Sequence, residues 1–89
     1  METNAYTEEC TLEGEIFKVI FYGPPPREGA GFEAVVFCLT KDWVAHARMY
    51  QRFDPMQLAA CWGCDETLAQ AVSQWVFETF TRICYVETI

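Results

Sequence analysis

The chain has 89 residues, 52% of them hydrophobic and 16% aromatic, and a formal charge of −7. A chain of this length has room for one domain with one modest core, and its apolar content is too high for intrinsic disorder. A net charge this negative opposes direct binding to a nucleic-acid duplex, so no nucleic-acid partner is expected.

The N-terminal segment METNAYTEEC is polar and acidic and has neither the basic nor the apolar region of a secretory signal. No apolar run approaches the roughly 18 residues that span a bilayer. The sequence therefore predicts a soluble, cytoplasmic protein with no membrane partner. Cys10, Cys38, Cys61, Cys64 and Cys84 are odd in number and scattered through apolar stretches. That pattern suits reduced thiols better than a disulfide framework.

Glu2, Glu8, Glu9, Glu13 and Glu15 all precede Lys18, the first basic residue. This front-loading predicts an acidic N-terminal arm, which either simply keeps the protein in solution or docks on a basic surface. Thr11 to Tyr22, rich in β-branched and aromatic residues, reads as one central strand. Gly23 to Gly31, GPPPREGAG, then interrupts with three prolines flanked by glycines, the composition of a rigid hairpin loop. A proline ligand for an aromatic groove is the other reading of so short a run.

Phe32 to Leu39 resumes the strand pattern, with Phe32, Ala34, Val36 and Cys38 on one face and Glu33, Val35, Phe37 and Leu39 on the other. Its simplest mate is the preceding strand, antiparallel across the loop. Both faces of that hairpin are apolar at the middle. Helices must cover one side, and a second copy, a partner or a loop the other.

Trp43 to Phe53 alternates as a strand and also tolerates a helical reading; the strand is preferred. It places Trp43, Ala45, Ala47, Met49 and Phe53 inward and a basic, aromatic row of His46, Arg48, Tyr50 and Arg52 outward. Asp54-Pro55 marks a helix start, N-cap then first helical position, and Gly63 can close that short helix in a left-handed conformation. Asp65 to Arg82 carries the clearest helical period. Leu68, Val72, Trp75, Val76, Phe80 and Ile83 form the apolar stripe, and Gln70, Ser73, Gln74 and Glu78 face away. Asp65 is the expected cap, with Glu66 and Arg82 placed to favour the helix dipole. Residues 83–89, ICYVETI, return to strand composition and are expected to add a final edge to the sheet.

Among chemical motifs the sharpest is Cys61-Trp62-Gly63-Cys64, a C-x-x-C ahead of a helix. A redox pair would follow a strand, and Asp65 and Glu66 oppose thiolate formation; a zinc site would need two more ligands from the fold. Buried structural cysteines are the plainer reading. His46 is the sole histidine and lacks a recognisable nucleophile context, and Glu13 and Glu15 are expected on one strand face with no sign of a cleft. No catalytic residue, cofactor or metal is expected.

These readings converge on an α+β domain: an antiparallel sheet of three or four strands packed against one main C-terminal helix plus a short helix. The expected function is non-enzymatic binding of another protein with a basic surface. Glu8, Glu9, Glu13, Glu15 and Tyr50 are the contact residues, and self-association into a homodimer is compatible with it. A small viral or mobile-element inhibitor that masks a nucleic-acid-binding surface would have these properties. The alternatives are a zinc- or thiol-dependent module built on Cys61 and Cys64, or a dimeric structural subunit.

Overall fold

A computed structural model describes residues 6–22, 33–48 and 53–88. The elements run β1 (Tyr6–Leu12), β2 (Glu15–Tyr22), β3 (Glu33–Cys38), β4 (Trp43–Arg48), α1 (Pro55–Trp62) and α2 (Glu66–Thr88). The strands form one antiparallel sheet in the order β1-β2-β3-β4, so every neighbour in the sheet is also a neighbour in sequence. This is the expected α+β arrangement, with four strands. The pairing of β2 with β3 sets Ile20 opposite Val35, as the antiparallel hairpin requires. The proline segment Gly23–Gly31, with Met49, Tyr50 and Arg52, lies outside the described residues.

Two expectations about chain order are corrected. Thr11 to Tyr22 is not one strand: Leu12 pairs with Glu15 across a two-residue turn of Glu13 and Gly14, both with positive φ (51° and 80°). Positive φ at both central residues is the hairpin turn whose twist matches the flanking strands. Glycine adopts it freely, whereas glutamate pays for the left-handed conformation. The turn folds the supposed acidic arm back as β1, an edge strand fully paired to β2. At the other end, residues 83–88 belong to α2 and add no strand. Nothing in ICYVET breaks a helix, and extending one already formed costs far less than starting a new element. Arg82 therefore sits inside the helix and not in its last turn, which carries no basic residue.

One face of the sheet carries the core. Phe17, Val19 and Phe21 from β2 and Ala34, Val36 and Cys38 from β3 are buried against Leu58 and Trp62 of α1 and Leu68, Ala69, Val72 and Val76 of α2. The helical stripe is rotated from the one predicted. Ser73 and Thr79 lie within it, buried, while Trp75 is only half-buried at its border. Both hydroxyls satisfy themselves on backbone carbonyls, Ser73 donating to Phe53 O at 2.8 Å and Thr79 to Trp75 O at 2.9 Å.

α1 starts as predicted. The Asp54 carboxylate accepts the Met56 N–H at 3.1 Å, Pro55 takes the first helical position, and Gly63 ends the helix at φ 70°. Its last residue, Trp62, stacks on Phe17 and on Trp43 with centroids 6.0 and 5.3 Å away. The same indole donates to Val44 O at 3.1 Å. Alanines at 45 and 47 on β4 keep that edge of the sheet low, so the helix pair can approach it.

Replacing Trp62 with Phe keeps the stack but leaves the Val44 carbonyl without its indole donor. Urea unfolding is expected to show a loss of about 1.5–3 kcal/mol. Glu13→Asn, which relieves the left-handed penalty, is expected to raise stability by about 0.5–1 kcal/mol in the same measurement.

Candidate protein-binding surfaces

The strand pleat separates the acidic residues that the sequence grouped. Glu8 faces the helices, where Arg82 of α2 holds it through both guanidinium ends at 3.3 and 3.2 Å. The carboxylate, by hydrogen bond and charge, lifts the Arg82 pKa further above its usual value. Glu9, one residue on, points to the opposite face and sits across from Lys18. Glu13 occupies the β1–β2 turn, so it does not share a strand face with Glu15 as the sequence suggested. Glu15 is engaged by the Thr40 hydroxyl and lies 3.9 Å from the Lys41 ammonium, which also approaches the Trp43 ring. Tyr50 lies outside the described residues.

What the fold does gather is a different acidic set. In an antiparallel meander, alternate turns fall at the same end of the sheet. The β1–β2 turn brings Glu13 and Glu15 there, the β3–β4 turn brings Asp42, and the α1–α2 joint brings Asp65 and Glu66. Two hydrogen bonds link these segments: Leu39 N–H donates to Ile16 O at 2.7 Å, and the Trp62 indole at the end of α1 donates to Val44 O at 3.1 Å. Among the described residues, five carboxylates share this end with one base, Lys41. In the sequence Asp65 and Glu66 stand out as helix-start signals and as charges that oppose a thiolate, and Asp42 does not stand out at all. The periodic position of the turns was the signal that could have joined them.

The second surface is the face of the sheet away from the helices. Its rows follow from the register: Thr7, Ile20, Val35, His46; then Glu9, Lys18, Phe37, Val44; then Thr11 and Ile16 beside Leu39. Ile16 is 39%, Tyr22 38%, Leu39 52% and Val44 53% exposed. The apolar middle of the β2–β3 hairpin is thus buried on one side only. The basic row predicted along β4 is countered where it can be described, because His46 Nε2 lies 3.0 Å from Glu33 Oε1 and Arg48 is registered opposite Glu33.

The C-x-x-C motif straddles the α1–α2 joint, with Cys61 exposed, Cys64 half-buried and Trp62 buried between them. Burial first, then the charges of Asp65, Glu13 and Cys38, push the Cys64 thiol above its ordinary pKa, against a smaller backbone hydrogen bond that lowers it. The Cys64 Sγ lies 3.4 Å from Asp65 O, as a thiol donor does. Cys10 is raised as well, by burial and then by Glu8. Reactive thiolates have the opposite shift. No group of three or more potential metal ligands occurs among the described residues.

Two shallow grooves flank α1. One, of about 780 Å³, lies between α1 and α2 along Asp54, Thr67, Gln70 and Gln74; the other, of about 320 Å³, lies between β4 and α1 and is lined in part by His46, Asp54 and Cys61. Two polar groups of the second already have partners, His46 in Glu33 and Asp54 in the α1 N-terminus. No described helix is long and apolar enough to cross a membrane. Comparison with protein-family models, with curated proteins and with solved structures gives no match for this chain.

The raised thiols set a pH dependence. A thiol whose pKa is higher folded than unfolded favours the fold below the unfolded value near 9.0, and this contribution is lost as pH rises through the folded value. Thermal unfolding midpoints are therefore expected to fall as pH is raised past about 9, and the Cys10→Ser/Cys64→Ser double variant to flatten that fall.

Proposed function

We propose that the chain is a small, non-enzymatic protein-binding module that docks on a basic surface of another protein through its acidic end. The observation that carries this reading is the topology, which sets the turns and joint bearing Glu13, Glu15, Asp42, Asp65 and Glu66 at one end, where Lys41, 3.9 Å from Glu15, is the one base among the described residues. In a protein of net charge −7 such a pole raises encounter rates with a positive partner and disfavours negative ones. Asp65 and Glu13 both lie close enough to Cys64 to add to the upward push that burial gives its thiol, which puts two of these carboxylates beside one residue of the joint. Masking of a nucleic-acid-binding surface, as by a viral or mobile-element inhibitor, is the specific form of this activity that the charge suits best. Binding without catalysis accords with the committed hydrogen bonds of His46 and Asp54 and with the raised Cys64 thiol.

The reading differs from the sequence-based one in the residues responsible. Glu8 is held by Arg82, which makes it a poor contact, while Asp42, Asp65 and Glu66 take its place. A partner captured from host extract and then purified would be titrated against the wild type, a pole variant (Glu13→Gln, Asp42→Asn, Asp65→Asn, Glu66→Gln) and an edge variant (Glu8→Gln, Glu9→Gln). The pole variant is expected to bind at least about tenfold more weakly at low salt, with a flatter salt dependence, and the edge variant to bind nearly as the wild type. Equal affinity of the pole variant, or capture indifferent to salt, rejects the acidic-end mechanism.

A further inference from the structure

The helix-free face of the sheet is the largest feature that the acidic-end reading leaves unused. Its middle is apolar: Ile20 and Val35 are cross-strand neighbours, Phe37 and Val44 are neighbours one row up, and Ile16 and Leu39 close the row above. Phe37, Val35 and Ile20 are half-buried, and Val44 and Leu39 are more than half exposed.

Charge identifies what covers this face. The side chains described on it include two acids, Glu9 and Glu33, one base, Lys18, and the imidazole of His46, so the face is close to neutral on a protein whose total is −7. Each acid has a basic group beside it: Glu9 is registered opposite Lys18, and the His46 imidazole lies 3.0 Å from Glu33 on the other side of the apolar patch. A basic partner finds little surplus of negative charge here, and an acidic partner no surplus of positive charge. A second copy of the same chain presents the same near-neutral surface, and a two-fold axis brings that surface from both sides.

The size is adequate. Four strands about 4.8 Å apart and about six residues long, at about 3.4 Å each, give a footprint of about 400 Å². Side-chain relief brings the accessible area to about 500–600 Å² per copy, so two faces together bury about 1,000–1,200 Å², at the threshold of a specific interface. Two sheets stacked face to face with interdigitating side chains are an established way of forming such a core.

We infer that this face is the interface of a homodimer in which two sheets stack through Ile20, Val35, Phe37 and Val44, leaving each copy's helices and acidic end outward. Dimerisation through the face does not depend on the acidic-end reading, since the two surfaces share no residue.

Sedimentation equilibrium of the full chain from about 1 to 200 µM tests it. The expected mass approaches twice 10.3 kDa at the upper end and falls on dilution. Phe37→Lys sets a charge at the centre of the stack and is expected to weaken association at least 100-fold; Val44→Lys, at a position 53% exposed, does so without disturbing the monomer's own packing. If circular dichroism shows Phe37→Lys unfolded, Val44→Lys decides. The pole variant is expected to sediment as the wild type does. A wild type that stays monomeric at 200 µM overturns the inference, whether the face meets another protein or nothing at all. So does a dimer that Val44→Lys leaves intact, because it then forms through another surface.

Discussion

A four-stranded sheet has two faces, and two helices on one side can cover only one of them. The covered face is fixed by Trp62, which closes α1 by lying flat between Phe17 and Trp43 and donating to the Val44 carbonyl. One side chain thereby joins β2, β4 and the helical layer. Burial of an aromatic of this size is worth about 1.5–3 kcal/mol before its stacking is counted, a large share of the roughly 5–10 kcal/mol that holds so small a domain. Because Trp62 sits immediately before Gly63, the indole also sets where α1 stops and where α2 begins its run across the sheet.

The carboxylates divide into those that hold the fold and those that do not. Glu8 ties β1 to α2 through Arg82, and Glu15 ties β2 to the β3–β4 turn through Thr40 and Lys41. Acidic residues on β1 also discourage its free edge from pairing with another chain, while the Trp62 indole occupies a backbone acceptor of β4 at the opposite edge. The negative charge of this protein is thus partly architectural. With Glu8 and Glu15 set aside, Glu13, Asp42, Asp65 and Glu66 are what the acidic end has left to offer a partner.

The hairpin β2–β3, the short helix between Asp54 and Gly63, and the long helix were legible because each rests on a local rule: alternation, a cap with proline, a 3.6-residue period. β1 was not, for a physical reason. An edge strand with one face toward helices and the other toward solvent needs little apolar character, and YTEECTL, with a glutamate on each face, reads as a polar arm until its partner is known. Glu13-Gly14 is a weak hairpin signal because glutamate is a poor residue for positive φ. The last turns of α2 were misread for the converse reason: β-branched residues carry only a mild bias, which an already formed helix overrides. The acidic end could not be read as a unit, since its five residues span positions 13 to 66 and meet only through the topology.

The two surfaces are chemically unlike, and this difference follows from how the chain is layered. Charge collects at turns and helix starts, where the backbone leaves the sheet and side chains are solvated, and apolar side chains collect on the sheet face that no helix reaches. Attraction at the acidic end is screened over about 8–10 Å at physiological salt, so it guides approach more than it holds a complex. The sheet face behaves in the opposite way. Contact energy there grows with the apolar area removed from water and is nearly blind to salt. A domain of 89 residues buries little surface within itself, and the dimer proposed for the second face would add a core layer to it from a like surface.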